Sequence, residues 1–217
     1  MTGGNWQVAP QPGGFTLRSP MLISPVHLKT LAHTLDVEGH DTASVLAVCG
    51  VARIDDLDED GDWVPLERFA RMLDQAVAAT GDPCFGLIVG KSLALMRYGA
   101  IIPVVLANRN LRQVMADIER FARLTTQRSE MVLHTEGHQA SLHIQAMVQQ
   151  GPGGRLRTEQ IVTSAVQMLR FCGATTGDVF GVELTLDEPP EAARPRYTAA
   201  MGPQILFGQP EIGRAHV

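Results

Sequence analysis

The stretch Val64–Gly90, VPLERFARMLDQAVAATGDPCFGLIVG, constrains the fold of this 217-residue chain more than any other part of it. Pro65 suits a first helical turn, where its missing N–H has no partner to lose. Leu66, Phe69, Ala70, Leu73, Ala76 and Val77 recur at three- and four-residue spacing, so one face is apolar. Arg68, Arg71, Asp74 and Gln75 take the other face. Gly81 stops the helix, and Asp82 with Pro83 turns the chain. Phe85, Gly86, Leu87 and Gly90 then begin a second packed helix.

The rest of the chain alternates between two periods. Residues 1 to about 22, rich in Gly and Pro with few apolar anchors, read as a flexible leader. Val26, Leu28, Leu31 and Leu35 mark a short helix with Pro25 near its first turn. Asp41 caps another helix, which ends at Gly50. An acidic loop, Asp55 to Asp62, leads into the Val64 stretch. Asn110 and Gln113 form a capping-box pattern for a helix that buries Leu111, Val114, Met115, Ile118 and Phe121. From Met131 the period becomes two. Ala140, Leu142, Ile144, Ala146 and Val148 alternate with polar residues after a Glu136-Gly137 turn, as in a hairpin with one buried face. GPGG at 151–154 reads as a flexible loop, and a helix is expected from about Thr158 to Phe171. Strands at Val179–Leu186 and Ile205–Phe207 follow, with a turn or brief helix near Tyr197–Met201 between them. This order implies a single α+β domain, residues 23–211, with helices packed on a small antiparallel sheet.

The final residues, IGRAHV at 212–217, read as the translation of the sequencing adapter ATCGGAAGAGCACACGTC. They are therefore expected to be an added tail that interrupts a longer protein. No apolar run is long enough to span a membrane, and the start lacks a secretory pattern. Cys49, Cys84 and Cys172 lie in apolar stretches, as reduced cytoplasmic core thiols do. The net charge is −5 and the only lysines are Lys29 and Lys91, so the chain lacks the basic cluster that binds phosphates.

Three patterns invite a site. Asp56, Asp58, Asp60, Gly61 and Glu67 match the calcium-loop spacing, in which alternate carboxylates and a terminal bidentate Glu surround the ion. The segment before them is too short for an entering helix, and a solvated acidic turn ahead of a helix N-terminus is the other reading. His134, His138 and His143 suggest imidazole ligands, yet strand alternation divides such residues between faces, and no Cys or carboxylate pair completes a tetrahedron. No metal is therefore expected there. Ser, His and Asp occur without any local nucleophile signature, so neither catalysis nor a cofactor is expected.

The words of the Val64 stretch go further than its periodicity. They resemble the ligand-sensing N-terminal region of AraC/XylS-type bacterial transcription regulators, in the subfamily named after an arabinose-binding domain. There "VPL…L…TGDP..GL..G" is the best-preserved part. The Asn110–Thr125 helix, with Arg120 and Phe121, matches that subfamily's capped helix ending in an Arg-aromatic pair, and FGQP at 207–210 resembles its closing strand. Where the subfamily has a Gly-rich stretch before the capped helix, only Arg97, Tyr98 and Gly99 correspond here. The resemblance implies a small-molecule effector, a homodimer, a cytoplasmic location, and DNA contact only through a C-terminal helix-turn-helix part that this chain lacks. An effector pocket between helices and sheet would be mostly apolar with a few polar anchors. Arg97, Tyr98, Arg120, Gln167 and Arg170 are the polar side chains nearest the apolar stripes, and so the candidates. A calcium-binding module on the Asp56–Glu67 loop is the alternative function.

Overall fold

Local signals place the first helices. In the computed structural model, which describes residues 20–58, 61–96, 102–127, 130–137, 139–148, 150–175, 181–209 and 213–216, chain order starts with a short strand, β1 (Leu22–Ile23). The Ser24 hydroxyl accepts from the Val26 N–H and opens α1 (Pro25–Val37). The Asp41 carboxylate accepts from the Ala43 and Ser44 N–H groups, at 3.1 and 3.3 Å, and opens α2 (Thr42–Ala47). Strand β2 (Val64–Pro65) pairs antiparallel with β1, so Leu22, the end of the expected leader, is already bonded into the fold. Helix α3 (Leu66–Thr80) follows, with Pro65 at its N-cap rather than in its first turn. Gly81 ends it at φ 62, a left-handed conformation that glycine adopts without a Cβ penalty.

The second half carries the sheet. Helices α4 (Phe85–Met96), α5 (Ile102–Leu106) and α6 (Leu111–Ala122) precede the hairpin of β3 (Met131–Glu136) and β4 (Gln139–Ile144). The predicted alternation holds, since Ala140, Leu142, Ile144, Ala146 and Val148 are all buried. Helix α7 (Gly151–Phe171), β5 (Gly181–Glu183), α8 (Arg194–Met201), β6 (Ile205–Leu206) and β7 (Gly213–His216) complete the order. The main sheet runs β3-β4-β7-β5-β6 and is antiparallel except between β5 and β6. Residues read as an added tail thus supply β7, seated between β4 and β5. The α+β class expected from the sequence is the class observed.

One expectation is corrected. GPGG at 151–154 is not a loop but the first turn of α7, with Pro152 among its first two positions. Gly153 is needed for contact rather than flexibility. The Gly153 N–H donates to Asp74 Oδ1 at 2.8 Å, and a Cβ there would lie 2.8 Å from Leu73 Cβ. Helix α7 is consequently buried on nearly every side and belongs to both hydrophobic clusters. Leu156 joins the cluster of α1–α4, while Ile161, Val162, Ala165, Val166 and Leu169 join that of the sheet, α6 and α8.

Helix α4 crosses α7 at glycine positions too. A Cβ on Gly86 would meet Leu156 O at 2.3 Å, and one on Gly90 would meet Thr163 Cβ at 2.5 Å. The two glycines of GL..G, Gly86 and Gly90, are therefore the floor of a helix crossing.

Candidate functional site

One buried face of α7 borders a cleft. Arg157, Gln160, Ile161, Ser164, Ala165 and Met168 recur at helical spacing along it. The opposing wall is Val105 of α5, Ile118, Phe121 and Ala122 of α6, and Thr125 and Thr126 beyond it. His27 of α1 and Glu130 with Met131 at the start of β3 close one end. The cleft is narrow and partly enclosed, with an interior volume of about 50 Å³.

Its polar end is a buried ion pair. Arg157 Nη2 donates to Glu130 Oε2 at 2.5 Å, and both side chains are almost wholly buried. Glu130 Oε1 also accepts from the Met147 N–H at 2.8 Å, and Arg157 Nη1 donates to Gln160 Oε1 at 3.2 Å. Such extra hydrogen bonds are what make a buried pair tolerable, because each ion has lost its water. The guanidinium carbon lies 5.4 Å from the Phe69 ring centroid, so α3 supports the arginine from behind.

The neighbours of Arg157 have fixed roles. Arginine only donates, so the Gln160 carboxamide must turn its oxygen toward it. By the same rule His27 Nδ1, 3.4 Å from Arg157 Nη1, must accept, which leaves the ring proton on Nε2. Burial, and then the arginine's charge, hold the His27 pKa well below its ordinary value, so the ring is neutral. The other side-chain nitrogens of these two cleft-lining residues, His27 Nε2 and Gln160 Nε2, are both donors. Both are buried without a hydrogen-bond partner among the described residues.

A second polar cluster lies on the other side of α7. Glu159, fully buried, accepts from the Tyr197 hydroxyl and from Arg155 Nε at 3.0 Å. Burial pushes its carboxyl up to about 7, against the pull of those two partners. Arg155 Nη2 donates to Tyr197 Oη at 2.7 Å, and the Cys84 thiol reaches the same hydroxyl at 3.9 Å. Arg196 grips both oxygens of Asp82, at 2.8 and 2.6 Å, and holds that carboxyl below its usual range. This cluster ties α8 to α7 and to the turn before α4. We read it as structural. All three cysteines are free thiols whose pKa is raised by burial.

The residues singled out by sequence fall as follows. Arg97, Tyr98, Asp60 and His138 lie outside the described residues. Arg120 is exposed on α6, beside the cleft-lining Phe121. Gln167 Nε2 donates to Ala200 O at 2.9 Å, and Arg170 Nη1 donates to Ala199 O and Ala200 O, so both bind the C-terminal carbonyls of α8. Among the described residues, none of these three lines the cleft. Asp56 Oδ2 accepts from the Arg53 N–H at 3.0 Å and closes a 3-10 turn over Ile54–Asp56, while Glu67 sits in the first turn of α3. His134 and His143 come together on the outer face of the hairpin, their ring centroids 4.2 Å apart, because the register makes them diagonal neighbours. No group of three His, Cys, Asp or Glu among the described residues could hold a metal ion.

His27, Glu130, Arg157 and Gln160 were missed by the sequence reading. Reading GPGG as a loop started the helix after Arg157, which hid the polar row Arg157, Gln160 and Ser164 beside Ile161, Ala165 and Met168. That row was the available signal. Glu130 and His27 are brought in from distant parts of the chain and carried none.

No curated protein matches the chain. No described helix is long and apolar enough to cross a membrane. The model of the arabinose-binding domain of AraC transcription regulators, N-terminal, matches residues 39–213, which take in the Phe69 support, the ion pair and all of α7. The chain belongs to this family of regulator ligand-binding domains.

Proposed function

We propose that this domain senses a small-molecule effector in the cleft between α1, α6 and α7. The observation that carries the reading is the pair of buried, unpartnered donors at the end of a mostly apolar cleft, in a family of ligand-binding domains. Effector binding would act by favouring one of two conformations of the regulator, which requires different affinities for the two. The domain works as a cytoplasmic homodimer, whose two-fold symmetry suits paired half-sites. DNA is contacted by a separate basic part of the protein, since this chain carries −5 net charge and no basic cluster.

The test is to fill the cleft. Ala165 is buried on the cleft-facing side of α7, and Ala165→Trp places an indole in the ligand's space. Candidate effectors are scanned by thermal shift against the parent and this variant, with circular dichroism confirming that the variant folds. A ligand whose stabilisation vanishes in the folded variant supports the cleft as the sensing site. A ligand that stabilises both equally refutes it.

A further inference from the structure

The chemistry of the effector is written in which polar groups of the cleft are already occupied. The hydroxyl protons on its walls are spoken for. Thr125 and Thr126 Oγ1 donate to Ala122 O at 3.2 and 3.0 Å, and Ser164 Oγ shares its one proton between Gly90 O and Gln160 O, at 3.1 and 2.8 Å. The only charges on the described walls, Arg157 and Glu130, neutralise each other at 2.5 Å. Among the described residues, the donors left over are two N–H groups, His27 Nε2 and Gln160 Nε2, both next to the same guanidinium. The remaining wall is Val105, Ile118, Phe121, Ala122, Met131, Ile161, Ala165 and Met168, all apolar.

A buried donor is costly until an acceptor meets it, whereas an ion entering a neutral, apolar site has nothing to offset its lost hydration. A sugar meets the same obstacle several times over, because most of its hydroxyls would face apolar side chains. We infer that the cleft binds an uncharged, largely apolar molecule that presents one acceptor oxygen, such as a ketone, ester or amide carbonyl, to His27 and Gln160. This rests on the cleft being the sensing site. It also separates this chain's ligand from the pentose in the family's name.

Four probes of similar reach decide it: acetophenone, ethylbenzene, benzoate and L-arabinose, titrated into the whole chain by calorimetry and by side-chain 15N–1H NMR. Acetophenone is expected to bind and to shift the Gln160 carboxamide and His27 Nε2 resonances. Ethylbenzene, which leaves both donors unmet, should bind roughly tenfold more weakly, the ratio set by a lost buried hydrogen bond. Benzoate and L-arabinose should bind more weakly still. Gln160→Leu and His27→Phe are each expected to reduce the ketone-to-hydrocarbon ratio toward one. Because the ranking of the four probes is read on the parent protein, it stands even where a variant fails to fold.

Tightest binding by benzoate or L-arabinose, equal binding of ketone and hydrocarbon, or no binding of acetophenone overturns the inference. The Ala165→Trp variant keeps that failure apart from failure of the sensing reading. If benzoate or arabinose binds the parent but not this variant, the cleft remains the site and only the ligand chemistry is wrong. If binding survives in the variant, the site itself is elsewhere.

Discussion

Gly86→Ala sets two physical effects against each other, and the structure says which wins. Alanine in a helix interior is favoured over glycine by about 1 kcal/mol, from propensity alone. At Gly86, however, the new methyl would stand 2.3 Å from Leu156 O, 2.7 Å from Glu159 Cβ and 2.9 Å from Glu159 Oε2. The first contact is with helix backbone and falls about an ångström short of ordinary van der Waals distance, so no side-chain rotation relieves it. Helices α4 and α7 must separate, and both are anchored along their length by core residues. Overpacking of this kind costs about 3 kcal/mol at the upper end of its usual range, and subtracting the propensity gain leaves about 2 kcal/mol of net destabilisation. For a domain of this size that lowers Tm by about 4–8 °C. Thermal and urea unfolding of parent and variant measure it, and Ala78→Gly on the exposed side of α3 calibrates the propensity effect in the same protein. A Gly86→Ala protein as stable as the parent, or more so, would show that the crossing has room and that the reasoning is wrong.

Two further outcomes follow from other parts of the molecule. Asn110→Ala removes the acceptor for the Gln113 N–H, a 3.0 Å bond at the N-cap of α6, and should cost about 1 kcal/mol in urea unfolding. Glu159→Gln should change how stability varies with pH: the folded carboxyl titrates near 7 and the unfolded one near 4.5, so the folded state holds an extra proton between them and this group's stabilisation is lost as pH rises through that window. His27, whose folded pKa is lowered, has the opposite slope below its ordinary value of 6.5, so the test is the difference between parent and variant, which should fall from pH 5 to 7; a flat difference contradicts the raised Glu159 pKa.

Much of the fold was legible because it rests on local rules. The Asp41 and Asn110 caps, the Gly81 stop and the two-residue alternation of Ala140, Leu142 and Ile144 each depend on residues near in sequence. The misreading at Gly151–Gly154 shows where such rules end. Glycine there serves the approach of α3, which no local pattern reports, since Asp74 lies 79 positions away from Gly153. The parallel pairing of β5 with β6 is likewise set by how α8 returns the chain rather than by strand composition. The cleft was legible only in outline, as a space between helices and sheet. Gln167 and Arg170, polar residues on apolar stripes, bind the carbonyls of α8, while Gln160 and Ser164 show the same pattern beside the cleft. Spacing alone cannot separate a helix cap from a ligand anchor.

The distribution of unmet polar atoms makes that separation. Glu159 Oε2 and Thr163 Oγ1 are buried without partners, and both lie at the α4 crossing, against Gly86 and Gly90. There the backbone of α4 covers them, and nothing can reach them without parting two helices. His27 Nε2 and Gln160 Nε2 are equally unmet, but their side chains line a space. Leaving a donor buried costs about 1–3 kcal/mol, and setting an ion pair beside it adds a desolvation cost that an apolar wall would avoid. At the crossing that cost accompanies close packing and is permanent. In the cleft it lasts only while the cleft is empty, so a ligand that supplies an acceptor recovers it on binding. The same groups that lower the stability of the unliganded domain therefore favour a liganded one, and they bias a conformational equilibrium only to the extent that its two states offer those donors differently.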